Sequence, residues 1–225
     1  MNAYRWVVRG VYGFFGTLIL AVIAFKVFQP VQVLPRIRLG PGFILVDQNG
    51  EPLTNEDLRG KVVLYSFFYT RCPGDCYGII PTLQYVQAQA PAVLGDIPFR
   101  IVLISLDPEY DTPERLQAYA ERVGAQPDLW VLATQPDPQR LRMIVGSGFN
   151  MFYEPQPDGS IRFAPRYILV DGWGIVRGEY KYETLRSTEE RIVRHLGVLA
   201  EEIRNSQGSA KLAYEAAHFF LCYAP

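Results

Sequence analysis

The chain has 225 residues, 49% of them hydrophobic, with 22 basic and 23 acidic side chains for a formal charge of -1. That is enough for one well-packed domain with appendages and too little for two large ones. The balanced charge and lack of a prominent basic run exclude the electrostatic footprint of a nucleic-acid binder, and three cysteines are too few for a disulfide-built scaffold.

Residues 6–28 are apolar except for Arg9 and Lys26, both near the ends of the run. A helix crossing the hydrocarbon needs about 20 such residues, and terminal charges can reach the interface. No small-x-small processing site follows, so residues 1–28 are predicted to be an uncleaved, single-pass membrane anchor. Arg5 and Arg9 precede the span while Lys26, Arg36 and Arg38 follow it, so charge does not choose its orientation. Residues 29–42, carrying several prolines, read as an extended linker.

Residues 43–205 read as one α/β domain. Residues 44–47 and 51–53 flank Asn49-Gly50, a hairpin signal, and residues 61–68 form a nearly continuous apolar run, as expected of a central strand covered on both faces. A helix is predicted over 79–90, with Pro81 implying a late start or a kink. A second buried strand, 99–105, leads to a helix over 112–123 with Thr112 as its cap and Pro113 at its first position. A short strand at 130–133 follows, then a helix opening at Asp137-Pro138 and ending by Gly146. Next come a hairpin over 152–162 and strands at 166–170 and 175–180. Ser187 and Glu190 form a capping box for a helix reaching Asn205. A hairpin, a βαβ unit and then a ββα unit match the thioredoxin layout, which sets the loop after residue 68 at the carboxyl end of a central strand.

That loop holds Cys72-Pro73-Gly74-Asp75-Cys76. A cysteine at a helix start meets unpaired N–H groups and the positive end of the dipole, which favour the thiolate. The spacing lets the sulfurs form a disulfide or act as two soft ligands of the kind that selects Cu(I). Two packed cysteines or an inert structural disulfide are the alternatives. Asp75, Asp107 and Asp111 are candidates to tune the thiols or meet a partner, against plain turn and helix-start roles.

Residues 42–203 resemble the SCO/SenC family of copper-handling assembly factors. Phe67 to Cys76 is similar to the family pattern F-x-Y/F-T-x-C-P-x-x-C, and Ser105 to Pro113 to its second signature, S-x-D-P-x-x-D-T-P. The resemblance implies a thioredoxin-like fold and copper held by Cys72, Cys76 and a histidine. It implies service to the binuclear copper centre of cytochrome c oxidase, on the outer, extracytoplasmic face of a membrane. The position matching the family histidine is Phe163. The chain's two histidines, His195 and His218, lie elsewhere; His195 reads as a packed or solvated helix residue. Phe163-Ala164-Pro165 resembles the element of thioredoxin-like oxidoreductases whose proline is cis and faces the active cysteines; an ordinary trans proline is the alternative.

Residues 206–225 read as a helical tail with Leu212, Ala216, Phe219, Phe220 and Tyr223 on an apolar face that docks on the domain, the membrane or a partner. His218 and Cys222 there are secondary candidates for metal ligation. Three functions follow: a membrane-anchored factor handling Cu(I) or thiol redox state for a copper-centre subunit, a copper-free thiol–disulfide oxidoreductase, and a non-catalytic subunit of a membrane respiratory complex.

Overall fold

The apolar run beginning near residue 61 folds as its composition requires: all seven residues of Val62–Phe68 are buried in the computed structural model of the chain. The structure describes residues 2–28, 32–74, 77–181, 185–206 and 211–220. In chain order the elements are α1 (Asn2–Phe28), β1 (Arg38–Leu39), β2 (Ile44–Asp47), β3 (Pro52–Thr54), β4 (Val62–Phe68), α2 (Ile79–Leu94), β5 (Phe99–Ser105) and α3 (Pro113–Arg122). Then follow β6 (Trp130–Thr134), α4 (Pro138–Arg142), which runs into π-helical turns at Met143–Gly148, β7 (Tyr153–Pro155), β8 (Ile161–Phe163), β9 (Arg166–Val170), β10 (Ile175–Lys181), α5 (Leu185–Asn205) and α6 (Lys211–Phe220).

The strands form an eight-stranded sheet in the order β1-β10-β9-β4-β5-β6-β2-β3, with β7 and β8 as a separate hairpin. β4, β5 and β6 are parallel; β9 lies antiparallel beside β4, and β2 antiparallel beside β6. α2 and α5 pack against each other, and Arg204 at the end of α5 donates to the carbonyls of Val93 and Leu94 at 3.1 and 2.9 Å. Phe43, Tyr65, Phe67 and Phe149 join ring to ring in the core, with the Tyr65 and Phe149 centroids 5.0 Å apart.

Several local expectations change. Pro81 neither delays nor kinks α2, because it sits in the first turn, where a missing N–H removes no helical bond. The helix after Asp137 continues past Gly146 as π-helix, and Pro41 packs so close to Gly148 that a Cβ there would lie 2.7 Å from it. Ser187 is not a cap, since α5 already begins at Leu185. Leu212, expected on the docked face of the tail, is exposed, whereas Ala217 of α6 is buried.

The expected membrane span is not supported by the described residues, among which no helix is long and apolar enough to cross a membrane. α1 itself forms over Asn2–Phe28, and its described side chains are largely exposed.

The segment read as a linker joins the domain. Val33 and Leu34 have no exposure, and β1 pairs with β10. Arg177 of β10 is 2% exposed and gathers this region: it donates to the carbonyls of Leu34 and Pro35, and pairs with Asp171 at 2.9 Å and Glu202 at 2.6 Å. His218 of α6 stands 3.0 Å from Glu202, and Arg36 faces Glu215 of α6 at 3.5 Å. Both ends of the domain therefore meet at one buried guanidinium. Arg177→Met leaves two buried carboxylates without that cation and is expected to lower the unfolding free energy by about 3–5 kcal/mol in urea titration. A loss under about 1 kcal/mol would remove the network from this role.

Candidate functional site

β4 ends at Phe68, and the chain turns at once, with the Cys72 N–H donating to the Tyr69 carbonyl at 3.1 Å. The neighbouring strand β5 supplies the support. Leu106 donates to the Phe68 carbonyl at 2.8 Å, and the loop from Ser105 to Thr112 folds back beneath the cysteine turn. Asp111 has no exposure; its carboxylate accepts from the Thr70 N–H at 3.0 Å and from the hydroxyls of Thr70 and Ser105. Burial raises the Asp111 pKa above the ordinary carboxylate value despite these bonds. Asp107 accepts two bonds from Arg71, at 3.0 and 2.6 Å, and its own N–H donates to the Ser105 hydroxyl. The two segments that carry the family-like motifs are thus fastened to one another through Thr70, Arg71, Ser105, Asp107 and Asp111.

Cys72 is half-buried and disulfide-bonded. Asp75 and Cys76 lie outside the described residues. Beyond them the backbone enters α2 through Tyr77 and Gly78, both left-handed at φ 60° and 77°, so a side chain occupies a conformation that favours glycine. The Tyr77 ring meets Phe163 edge to face at a centroid distance of 5.4 Å, and Tyr69 approaches the same ring at 6.3 Å. Phe163, 8% exposed, therefore stands against the cysteine turn as an apolar wall. Pro165 is brought to the same end of the sheet. Ser66 of β4 faces Tyr167 of β9, and continuing that antiparallel register sets Pro165 level with Phe68. No cis peptide bond occurs among the described residues, so Pro165 follows a trans bond.

The remaining candidates lie elsewhere. His218 belongs to the Glu202–Arg177–Asp171 network, and Asp171 follows Val170, which pairs with Val63 at the start of β4. At about 3.3 Å per residue, the length of β4 puts that network roughly 20 Å from the cysteine turn. Cys222 is outside the described residues. Among the described residues no group of three or more His, Cys, Asp or Glu side chains is placed to hold a metal. Sequence reasoning by residue type passed over Arg71 and Tyr77, though both adjoin the cysteines in the chain. Arg71 separates two clefts, of about 430 and 340 Å³, and its guanidinium stacks on Tyr110 at 4.3 Å.

His195 is a core residue, 1% exposed, with Nδ1 2.8 Å from the Tyr180 hydroxyl. Burial, reinforced by Arg194 and Arg191, lowers its pKa from 6.5 to about 4. As pH falls, the unfolded chain binds this proton first, so the associated stability is complete above about pH 6.5 and lost progressively toward pH 4. The loss is of order 2–3 kcal/mol. His195→Gln should flatten the decline of unfolding free energy across that window; an unchanged slope would place the acid sensitivity elsewhere.

A family model described as SCO1/SenC matches residues 32–201. A protein of Stutzerimonas stutzeri is 31% identical over 153 residues, covering 67% of this chain and 73% of its own length. The chain spans less than half the length of the Schizosaccharomyces pombe and Rickettsia typhi relatives that it also matches. Among solved structures, a SCO1/SenC family lipoprotein from Bacillus anthracis str. Ames superposes with a TM-score of 0.65 at 25% identity, over 74% of this chain and 99% of that one. Bradyrhizobium japonicum ScoI with copper bound gives a TM-score of 0.53 at 27% identity, over 70% and 97%.

Proposed function

The chain belongs to the SCO1/SenC family, and on that premise we propose that it handles Cu(I), the thiol redox state of a client, or both, during assembly of the binuclear copper centre of cytochrome c oxidase. Cys72 and Cys76 are the working pair. The observation that carries this reading is Cys72 itself: disulfide-bonded, at the carboxyl end of the central parallel strand, and open to a cleft. A disulfide holds no metal, so two electrons from a thiol reductant must open it before the cysteines can act as ligands. The resulting thiolates suit Cu(I), a soft ion that on this reading is cargo rather than a resident cofactor.

Phe163 decides how the cargo is held. It sits against the cysteine turn yet offers no donor atom, so the site supplies sulfur without imidazole. That combination supports Cu(I) over Cu(II), whose preference for nitrogen and tetragonal geometry is unmet. It equally favours a second reading, in which the pair exchanges disulfides and takes no copper. Pro165, which the β4–β9 register sets level with Phe68 just ahead of the cysteine turn, is on this reading the residue that limits what can approach the pair. We further propose that residues 6–28 tether the domain to the outer face of a membrane, supported by their low charge and the exposed apolar side chains of α1, among them Phe14, Ile19 and Leu20.

The reduced full chain is expected to bind one Cu(I) in competition with a chromophoric Cu(I) chelator, and Cys72→Ser or Cys76→Ser to abolish it. Failure to bind, with disulfide exchange intact, would select the oxidoreductase reading. Phe163→His should raise Cu(II) affinity by at least about tenfold and add a thiolate-to-copper charge-transfer band. Equally strong Cu(II) binding by the unsubstituted chain would show that another residue completes the site.

Extraction of the full chain from membranes should need detergent, with carbonate ineffective. Release by carbonate alone would remove the tether.

A further inference from the structure

The surface on one side of Cys72 has a definite sign. The 430 Å³ cleft there is lined by Thr70, Arg71, Cys72, Gln84, Tyr119 and Arg122 among others, and among the described residues no carboxylate borders it. On α3, Arg115, Tyr119 and Arg122 recur at i, i+4 and i+7, which makes them one stripe of the helix. Glu114 and Glu121 each lie one residue back, about 100° around the helix axis.

The guanidiniums are set in place by aromatic rings. Arg122 stacks on Tyr119 at 4.7 Å, and Tyr110 is approached by Arg115 at 3.8 Å and by Arg71 at 4.3 Å. Stacking orients the planar fork and leaves N–H groups for an incoming oxygen. Arg71 spends its charge on Asp107, but among the described residues neither Arg115 nor Arg122 has a carboxylate within ion-pair distance. The whole chain carries a charge of -1, so this positive stripe is a local feature rather than a general excess.

We propose that the Arg115–Tyr119–Arg122 stripe docks an acidic, cysteine-bearing segment of a partner protein, presenting its thiol to the Cys72 disulfide across the cleft. This rests on the redox reading of Cys72 and adds the partner's chemistry. The partner thiolate attacks the disulfide, its sulfur bonds to one cysteine, and the other cysteine leaves as a thiolate that takes a proton from solvent. One S–S bond breaks and one forms. Carboxylates flanking the partner cysteine sit on the Arg115 and Arg122 forks, which steers the encounter and fixes its register.

The test uses the oxidised full chain and short peptides with one cysteine flanked by aspartates, serines or lysines. Each rate is divided by the same peptide's rate toward neutral 2-hydroxyethyl disulfide, which cancels the effect of flanking charge on the thiol itself. At low salt the aspartate peptide should react about tenfold faster than the lysine peptide. The difference should collapse near 1 M salt, where the Debye length is about 3 Å. An Arg115→Glu/Arg122→Glu double variant, each rate now referred to that variant's own rate with the serine peptide, should reverse the order. Equal rates for the three peptides, or an order indifferent to the charge reversal, overturn the docking stripe alone. A disulfide that dithiothreitol also fails to open overturns the redox reading of Cys72, and the docking proposal with it.

Discussion

A buried carboxylate governs the working end of this molecule. Asp111 has no contact with solvent, yet it accepts from Thr70 on the cysteine turn and from Ser105 at the end of the adjacent parallel strand. A charge-bearing group in such a place is costly unless its lone pairs are filled, and three donors fill them. The turn that carries Cys72 is thereby bound to the loop that follows β5, and Arg71 with Asp107 repeats the connection one residue along. The cysteine turn is held by a segment about forty residues away as well as by its own Cys72–Tyr69 backbone bond. That dependence explains why the two motifs occur together: each supplies the other's hydrogen-bond partners.

What could be read from the sequence follows from how locally each feature is determined. β4 and β5 were legible because a buried parallel strand must be apolar on both faces, and few alternatives fit runs such as Val62–Phe68 and Phe99–Ser105. Asn49-Gly50 gave the β2–β3 hairpin because that dipeptide tolerates left-handed backbone, as Gly50 shows at φ 82°. The capping box at Ser187 misled because a local signal competes with helix-forming residues upstream, and α5 begins two residues earlier. The isomer of Pro165 could not be chosen from one sequence, since cis and trans differ by well under the energy of a few tertiary contacts.

The site divides along the same line. Cysteines and aspartates announce chemistry by type, so Cys72, Asp107 and Asp111 were visible before any fold. Arg71 was not, because its significance lies in Asp107 and Tyr110, which only folding brings near. Phe163 was legible as a missing histidine, but its ring contacts with Tyr69 and Tyr77 were not. The supposed linker was misread for a related reason: Val33 and Leu34 look unremarkable among prolines until the Arg177 network and β1 absorb them.

The anchorage of that segment has a mechanical consequence. A load applied to the chain ahead of residue 33 meets first the carbonyl bonds of Leu34 and Pro35 to Arg177, and then the β1–β10 pairing. Both lie at the start of β4, the full length of the strand away from Cys72. Tension arriving from the amino-terminal side is thus carried by the edge of the sheet, and the cysteine turn is shielded from it. Such a pull enters the domain at the sheet's edge strand, β1, and not through the turn that carries Cys72.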